Sequence, residues 1–215
     1  MLEKVNDMTK VAVLVSGGGT NLQAIIDVHK AGKIANCELS LVLSSKPDAY
    51  ALTRAKDNGI PTEVIAKKDY PDRAEYTHAI TECLKSHGIE LVIMGGFMYI
   101  LSPEFTEVFK NRIMNVHPAL IPSFCGEGYY GLHVHEAALA KGVKLTGATV
   151  HFVNEICDGG PIILQKAVEI KEGDTPEILQ RRVMEEAEWK ILPRAIDLFC
   201  RGKLSVEGNI VHIAE

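Results

Sequence analysis

The chain has 215 residues, of which 47% are hydrophobic and 24% charged, and its formal net charge is −5. This is an ordinary globular composition, and the length suits one substantial core. Acidic and basic residues are interleaved, so nothing indicates a basic face for nucleic acid, and no apolar run approaches the roughly 20 residues that span a bilayer.

The start of the chain and its cysteines bear on where the protein works. Residues 1–10 are polar and lack the apolar segment of a signal peptide, so we expect a cytoplasmic protein. The five cysteines are widely spaced and form no C-x-x-C pair. This pattern favours reduced thiols over a disulfide framework or a zinc site.

A glycine loop follows the first predicted strand. Residues 11–15 form a short β-branched run, Ser-Gly-Gly-Gly-Thr follows, and apolar residues then recur with helical spacing. A strand–loop–helix unit of this kind turns backbone N–H groups toward an anion at the helix N-terminus. Thr20 or Asn21 can cap the helix and contact the same anion. A turn that only lets strand and helix pack together is the structural alternative.

The residues around the loop narrow the choice of anion. A dinucleotide fingerprint needs a third glycine where Leu22 stands and an acid after the second strand, which ends in Ser44, Ser45 and Lys46. A P-loop needs a Gly-Lys-Ser/Thr sequence that does not follow. A single phosphate monoester is therefore the favoured ligand.

Strands and helices alternate up to about residue 118, and shorter strands and loops follow. This predicts an α/β fold: an open, mostly parallel twisted sheet with helices on both faces and some antiparallel strands in the C-terminal half. Further strands are predicted at residues 39–43, 61–65, 91–94, 111–116, 144–153 and 162–168, with a possible edge strand in 204–215, and helices at 47–59, 70–87, from 103, 136–141 and 176 to about 200.

Asn115 and His117 are the strongest candidates for chemistry. They lie two residues apart in an extended segment, so their side chains point to the same side, and Pro118 stiffens the exit. The amide donates without titrating, whereas the imidazole titrates near neutrality. Such a pair suits a reaction in which negative charge develops on an oxygen while protons move. A second segment adds the carboxylate of Asp158 on a glycine-rich loop, and a simple turn role remains the alternative for His117.

Other polar and apolar residues allow weaker hypotheses. The turn after the fourth strand carries Phe97, Met98 and Leu101, which either line a ligand site at the carboxyl edge of the sheet or belong to the core. Arg73 lies in the first turn of a helix, where a cation gains nothing from the dipole, and this hints at an anionic ligand. His133 and His135 have no third ligand nearby, so we interpret them as loop or helix-start surface residues rather than a metal pair.

Taken together, these segments resemble the folate-dependent phosphoribosylglycinamide (GAR) formyltransferases of purine synthesis, over residues 11–204. The resemblance is carried by Val-Ser-Gly-Gly-Gly-Thr-Asn-Leu-Gln (15–23), Gly-Phe-Met-Tyr-Ile-Leu-Ser-Pro (96–103), Asn-Val-His-Pro-Ala-Leu-Ile-Pro (115–122), Gly-Ala-Thr-Val-His-Phe-Val (147–153) and Asp-Gly-Gly-Pro-Ile (158–162).

The resemblance implies transfer of a formyl group from 10-formyltetrahydrofolate, the co-substrate, to the primary amine of GAR, without a metal. It also implies small-molecule substrates as the only partners besides a possible homodimer. The whole chain, residues 1–215, would form one formyltransferase domain, with a phosphate-binding half at about 1–110 and a folate and catalytic half at about 111–215.

The resemblance also implies roles for residues. The implied set is Gly17, Gly18, Gly19, Thr20 and Asn21 for the substrate phosphate; Glu188 for the rest of GAR; Arg73, Phe97, Met98, Leu101, Ile113 and Val153, with the loop 153–158, for the folate; and Asn115, His117 and Asp158 for catalysis. Asp158 is expected to pair with His117 and raise the pKa of the imidazole.

The chain departs from the family pattern at several positions. Tyr99 stands where an arginine is frequent, and Trp189 follows Glu188 where a histidine is common. The helix before Trp189 is one residue longer, and the loop 125–130 is longer than in short bacterial forms.

Three other functions use related features. A formyltransferase for methionyl-tRNA or a nucleotide sugar is one, although a tRNA enzyme is expected to carry an additional C-terminal domain and a basic face. A sensor of a phosphorylated metabolite needs the glycine loop but not Asn115, His117 and Asp158 together. A hydrolase that deformylates 10-formyltetrahydrofolate needs the oxyanion donors but not the phosphate loop.

Overall fold

Among the described residues, one mixed sheet of nine strands runs through the protein in the order β3-β2-β1-β4-β5-β6-β7-β9-β8. The computed structural model describes residues 8–214, so most of the segment 1–10, for which we predict no signal peptide, lies outside the described residues. The elements are β1 (Thr9–Val15), α1 (Thr20–Lys30), β2 (Cys37–Ser44), α2 (Tyr50–Asp57), β3 (Thr62–Val64), α3 (Arg73–Ser86), β4 (Leu91–Met94), α4 (Pro103–Val108), β5 (Ile113–His117), α5 (Leu132–Lys141), β6 (Leu145–Phe152), β7 (Ile162–Glu169), α6 (Pro176–Val183), α7 (Trp189–Cys200), β8 (Leu204–Glu207) and β9 (Ile210–Ile213).

The N-terminal half of the sheet is parallel and buried on both faces. β1 pairs in parallel with β2 and β4, and β3 and β5 extend the sheet on either side. Apolar side chains of α1, α6 and α7 cover one face, and those of α3 and α4 cover the other. Burial on both faces explains why β1 is apolar from Val11 to Val15 and β4 is apolar throughout. The predicted mostly parallel α/β sheet is confirmed.

A crevice is expected where the chain leaves β1 and β4. The chain continues from β1 to β2 on one side, while β4 lies on the other, which makes the carboxyl ends of β1 and β4 the topological switch point of the sheet. Ser16 links the two exits, because its Oγ accepts a hydrogen bond from the Met98 amide at 3.0 Å and lies 2.7 Å from Oγ of Ser45. The glycine loop and the apolar turn are therefore neighbours.

The C-terminal half of the sheet is antiparallel where it meets β5. In the β5–β6 pair, Asn115 lies opposite His151 and His117 lies opposite Thr149. Directly opposed residues point to the same face of a sheet, so four polar side chains converge there.

Gly19 begins α1, in place of the predicted side-chain cap at Thr20 or Asn21. It is the N-cap residue with φ of 70°, and no side chain caps the helix. A Cβ atom at this position would lie 2.6 Å from Cβ of Ala51 in α2. Glycine is therefore required at position 19 both for the left-handed backbone and for the close approach of α2.

The placement of His135 on the surface was wrong. α5 begins at Leu132 rather than at residue 136, so both His133 and His135 lie in its first turns. His133 is exposed and lies 3.0 Å from Glu136, whereas His135 is fully buried. Within residues 8–214, no group of three or more His, Cys, Asp or Glu side chains is arranged to hold a metal ion.

The C-terminal helical segment starts as predicted but is not a uniform α-helix. Thr175 caps α6 by accepting a hydrogen bond from the Ile178 amide, and Pro176 occupies the first position. The backbone then widens into a π-helical turn at Met184–Glu188 before α7 continues to Cys200. A π turn holds one more residue per hydrogen-bonded ring than an α-helix, which accommodates the additional residue expected before Trp189. After α7 the chain forms the hairpin β8–β9 rather than a single edge strand.

The structure also bears on the cysteines and on membrane-spanning helices. The five cysteines are free thiols, with Cys37 and Cys200 buried and Cys157 exposed. No helix in the part of the chain that the structure describes is long and apolar enough to cross a membrane.

Asp197 fixes α7 against the segment that follows α1. Its buried carboxylate accepts hydrogen bonds from the Ala35 amide at 3.0 Å, from Arg201 at 2.7 Å and from Arg194 at 2.9 Å. Burial raises the pKa of Asp197, but these three donors outweigh burial, so the pKa lies below its usual value.

We predict that Asp197→Asn lowers the free energy of unfolding by about 1–3 kcal/mol at neutral pH, because three donors lose the charged acceptor that this buried side chain provides. A carboxyl group with a depressed pKa in the folded state stabilises above its unfolded pKa, and this contribution disappears as pH falls through the folded pKa. The difference between the two proteins, measured by urea unfolding, should therefore shrink in acid. Asp57→Asn, at an exposed position of α2, is the control and should change stability little. A loss that is independent of pH would contradict the ionic explanation.

Candidate active site

Asp158 lies at the centre of a polar cluster that three segments of the chain bring together. Its side chain is only 9% exposed, with Oδ2 3.4 Å from Nδ1 of His117 and Oδ1 3.6 Å from Nε2 of His151. The amide of Gly126 donates a hydrogen bond to Oδ2 at 2.9 Å. Burial raises the pKa of Asp158, but the contact with His151, the Gly126 amide and the imidazole of His117 together lower it below its ordinary value. The carboxylate is therefore ionised at neutral pH.

The backbone around Asp158 explains why glycines follow it. Asp158 itself has a φ of 54°, in the left-handed region that non-glycine residues seldom occupy. Two residues later, a Cβ atom on Gly160 would lie 1.8 Å from the carbonyl oxygen of Phe152, so no side chain fits there. The loop is thus folded tightly back onto the end of β6, which brings the carboxylate over the sheet.

Both ring nitrogens of His117 face hydrogen-bond acceptors. Nε2 lies 2.8 Å from the carbonyl oxygen of Phe124, and Nδ1 faces Asp158. Only the imidazolium can donate to both acceptors at once. Burial nevertheless lowers the pKa of His117 by more than Asp158 and the Phe124 carbonyl raise it. The predicted pairing with Asp158 is present and acts to raise the pKa of His117, but the prediction of a net raised pKa was wrong, because burial outweighs this contribution.

His151 connects Asn115 to the carboxylate. Its Nδ1 lies 2.8 Å from the carbonyl oxygen of Phe152, which can only accept, so the neutral ring carries its hydrogen on Nδ1. On the neutral ring Nε2 accepts from Nδ2 of Asn115 at 3.3 Å, and on the protonated ring its hydrogen faces Oδ1 of Asp158 at 3.6 Å. The amide of Asn115 is thereby oriented by one hydrogen bond and retains a second N–H for another acceptor.

Thr149 fixes the segment that follows His117. Its hydroxyl donates to the Ala119 carbonyl at 2.7 Å and accepts from the Ile121 amide at 3.1 Å and from Gln165 at 3.0 Å. These contacts tie the exit of β5 to β6 and β7. Thr149 therefore stabilises the backbone next to His117 but does not contact Asp158 itself.

The loop between β1 and α1 presents backbone donors without acceptors. Among the described residues, the N–H groups of residues 17–21 donate to no protein atom. They lie at the N-terminus of α1, where the helix dipole favours negative charge. An anion is the group that such an arrangement binds best.

Glu188 lies beside this loop, although it is distant in sequence. Its side chain is almost fully buried, and Oε2 accepts a hydrogen bond from Nδ2 of Asn21 at 2.9 Å. Burial raises the pKa of Glu188 to about 7, and the hydrogen bond from Asn21 opposes this shift. The acid can therefore change its charge near neutral pH.

The apolar turn after β4 combines buried and exposed side chains. Leu101 is buried, Phe97 is partly buried and Met98 is 57% exposed. Ile113 is fully buried in the core beneath the turn, and Val153 packs partly buried against the same core. The exposed part of this surface adjoins the glycine loop through the hydrogen bond between Ser16 and Met98.

Comparison with known proteins identifies the family. Residues 9–196 match the model of the formyl transferase family. The chain is 41% identical to the phosphoribosylglycinamide formyltransferase of Haemophilus influenzae over 206 residues, which cover 96% of this chain and 94% of that protein. The chain belongs to the formyl transferase family.

Two further relatives show how this formyl transferase compares in architecture. The trifunctional purine biosynthetic protein adenosine-3 of Gallus gallus is 44% identical over 197 residues, which cover 92% of this chain but only 19% of that protein. The crystal structure of glycinamide ribonucleotide transformylase 1 from Symbiobacterium toebii superposes with a TM-score of 0.92 at 41% identity, covering 100% of this chain and 98% of that one.

The formyl transferase brings its predicted site residues into two clusters. Asn115, His117 and Asp158 form one, and the glycine loop with Glu188 forms the other. They lie at the carboxyl ends of β5 and β1, which only β4 separates, so roughly two strand spacings or about 10 Å lie between them. Arg73, the exposed first residue of α3, contacts neither cluster.

His151 is the site residue that sequence reasoning missed. The sequence places Thr149 and His151 on one face of a strand but does not show which strand lies beside them. The antiparallel register of β5 and β6 supplies that information, because it opposes His151 to Asn115. Aligning the two strand sequences in antiparallel order and looking for polar residues that fall opposite each other could have found this pair.

We predict that the raised pKa of Glu188 makes the formyl transferase less stable as pH rises. Between the unfolded pKa of 4.5 and the folded pKa of about 7, the folded chain holds a proton that the unfolded chain has lost. Stability relative to Glu188→Gln should therefore fall by up to about 3 kcal/mol across this window, as measured by urea unfolding at several pH values. Glu186→Gln, at an exposed position of the same turn, should follow the wild type. Parallel curves for wild type and Glu188→Gln would refute the shifted ionisation.

Proposed function

We propose that this chain transfers the formyl group of 10-formyltetrahydrofolate to the primary amine of GAR, giving formyl-GAR and tetrahydrofolate. One observation carries the proposal: an Asn–His–Asp cluster and a loop of backbone amides without protein acceptors lie on the same edge of one sheet. A phosphorylated amine can reach both, because about 10 Å separates the two clusters. The likeness to proteins named phosphoribosylglycinamide formyltransferase, over nearly the whole chain, supports the same substrate.

The amides of Gly17, Gly18, Gly19, Thr20 and Asn21 bind the phosphate of GAR in this proposal. Backbone donors at a helix N-terminus suit a phosphate monoester, since they supply several hydrogen bonds and a favourable dipole. Glu188 then binds the sugar–amide part, oriented by its hydrogen bond from Asn21. The side-chain oxygen Oδ1 of Asn21 is buried without a protein partner among the described residues, and a donor on the substrate would satisfy it.

The apolar turn after β4 holds the folate. Phe97, Met98 and Leu101 provide apolar surface on one side, and Val153 with the loop 153–158 provides the other. Ile113 supports this surface from within the core, because its own side chain is fully buried. Arg73 is assigned to the negatively charged tail of the folate, since it is an exposed cation that forms no ion pair within residues 8–214.

Tyr99 replaces a basic residue with an aromatic one. Its ring lies edge-on to Tyr76 at 5.7 Å between centroids and to Phe97 at 5.9 Å. Edge-to-face contacts of this kind fix ring orientation. Tyr99 thus stabilises Phe97 in the folate surface and supplies no charge to the tail.

The reaction places negative charge where Asn115 and His117 can donate. The amine nitrogen of GAR bonds to the formyl carbon, and the carbonyl electrons move onto oxygen. The free N–H of Asn115 and the imidazole of His117 donate to this oxygen. When the intermediate collapses, the bond from carbon to N10 breaks, and a proton leaves the former amine while N10 gains one. Asp158 accepts and returns that proton through water, so no net charge accumulates.

One hydrogen bond must change for this step. Nε2 of His117 is engaged by the Phe124 carbonyl, so this carbonyl has to yield the hydrogen to the reacting oxygen. The exchange is favoured as charge develops on the reacting oxygen, because an anion is a stronger acceptor than a neutral carbonyl.

Release of tetrahydrofolate provides a direct test. We expect an absorbance change with 10-formyltetrahydrofolate and GAR together, and none with 10-formyltetrahydrofolate alone. Release at the same rate without GAR would indicate a hydrolase instead. No release in either mixture, with both compounds bound, would indicate a protein that senses its ligands without chemistry.

We predict that Asp158→Asn reduces kcat by about 10²–10³ or more and leaves the affinity for GAR nearly unchanged, because the acid acts on the reacting atoms and not on the phosphate. Single-turnover kinetics and calorimetric titration with GAR measure the two effects separately. Asp57→Asn, an exposed change, is the control. Equal losses of affinity and rate would point to a structural role for Asp158.

A further inference from the structure

The carbonyl groups of the three loop glycines all accept hydrogen bonds from the protein, whereas the loop amides donate to no protein atom among the described residues. The Gly17 carbonyl accepts from the Ala51 amide at 3.1 Å, and the Gly19 carbonyl accepts from the Gln23 amide at 2.9 Å. The Gly18 carbonyl, between them, accepts from Nε of Arg54 at 2.8 Å. The middle carbonyl is therefore the one that a side chain binds.

Arg54 is itself fixed by several contacts. Its Nη1 donates to Oε1 of Gln23 at 2.9 Å, and Nε2 of Gln23 donates to Asp27 at 2.8 Å. The guanidinium lies over the ring of Tyr50, 4.9 Å from the centroid. An arginine with a planar fork loses little freedom when its contacts are already in place, so this side chain is a rigid support for the loop.

Because the peptide unit is planar, the contact between Arg54 and the Gly18 carbonyl also fixes the direction of the Gly19 N–H. Within one planar trans peptide, C=O and N–H point in opposite directions. Holding the Gly18 carbonyl toward α2 therefore aims the N–H of Gly19 away from α2, to the side where the loop amides are unpaired. Backbone amides bind the carbonyls of Gly17 and Gly19, whereas the Gly18 carbonyl is bound by Arg54, and glycine on both sides of this peptide offers little steric resistance to its rotation.

Arg54 also adds charge near the anion site. It lines a cavity of about 340 Å³ together with Thr20, the first residue of α1, and Trp189. Its positive charge on this side of the loop favours a negative ligand on the other.

We infer that Arg54 is a positioning residue for the phosphate of the substrate: it orients the peptide between Gly18 and Gly19 so that the loop is ready to bind an anion. This inference rests on the proposed function for the identity of the substrate but not for the presence of an anion site. Arg54 acts through the loop and takes no part in the formyl transfer.

Arg54→Met should raise KM for GAR by about 10- to 100-fold, the usual effect of removing a charge-assisted hydrogen bond. Neither kcat nor KM for 10-formyltetrahydrofolate should change by more than about 2-fold, because the folate and the reacting groups lie elsewhere. Arg54→Lys keeps the positive charge but loses the planar guanidinium with its several N–H donors, and we expect a KM for GAR between those of wild type and Arg54→Met. Lys56→Met, which removes an exposed charge from the same helix, should match the wild type.

A second measurement follows anion binding without catalysis. Trp189 is the single tryptophan of the chain and lines the same cavity as Arg54, so its fluorescence can report titration with inorganic phosphate. The dissociation constant should increase for Arg54→Met and less for Arg54→Lys, with melting temperatures close to that of the wild type.

Two results would overturn the inference. One is unchanged affinity for both phosphate and GAR in Arg54→Met. The other is a joint loss of kcat, folate affinity and melting temperature, repeated in Arg54→Lys, which would assign Arg54 to general stability. Absence of GAR-dependent transfer in the wild type would instead refute the proposed function, while the phosphate titration would still test Arg54.

Discussion

The structure depends on keeping one ionised carboxylate in a poorly hydrated place. Removing a carboxylate from water is costly unless hydrogen bonds and opposite charge replace the lost hydration. Asp158 meets this condition with two imidazoles and one backbone amide, and each comes from a different segment. β5 positions His117, and β6 positions His151 through its antiparallel register with β5. The loop before α5 folds over both strands and supplies the Gly126 amide. The backbone of the Asp158 loop is correspondingly restricted, and Gly160 tolerates no side chain.

The sheet relates this cluster to the glycine loop. The parallel strands bring the exits of β1, β4 and β5 to one edge, and the change to antiparallel pairing at β6 adds His151 beside Asn115. Two kinds of donor result. Near β1 they are backbone amides at a helix N-terminus, which bind charge without titrating. Near β5 they are side chains whose protonation can change, which suits a reaction that moves protons. In the proposed function, one edge of the sheet thus combines a phosphate-binding site with a reactive one.

Much of this arrangement could be predicted from the sequence, because its main signals are local. Alternating apolar strands and helices gave the fold class, and Thr175 with Pro176 marked the start of α6. Asn115 and His117 were recognisable because two residues in one strand share a face without any knowledge of neighbours.

The features that escaped prediction depend on distant parts of the chain. His151 becomes a site residue only through strand register, and Arg54 reaches the glycine loop across 36 positions in sequence. The lowered pKa of His117 reflects burial by surrounding segments, which a nearby acid in the sequence does not reveal. His135 was misplaced because a helix start at Leu132 rather than residue 136 turns it from the surface into the core.

The π turn before α7 has a consequence for how the chain can vary. Val183 and Ile191 are both buried, and eight residues separate them, which in a continuous α-helix would set them about 80° apart around the axis. With one residue absorbed by the widened turn, the effective spacing is seven, and the offset falls to about 20°. The apolar stripe therefore stays aligned on both sides of the insertion. Because Glu188 is the last residue of the widened turn, an insertion at this point can change the direction of this buried acid while the apolar stripe on either side keeps its packing.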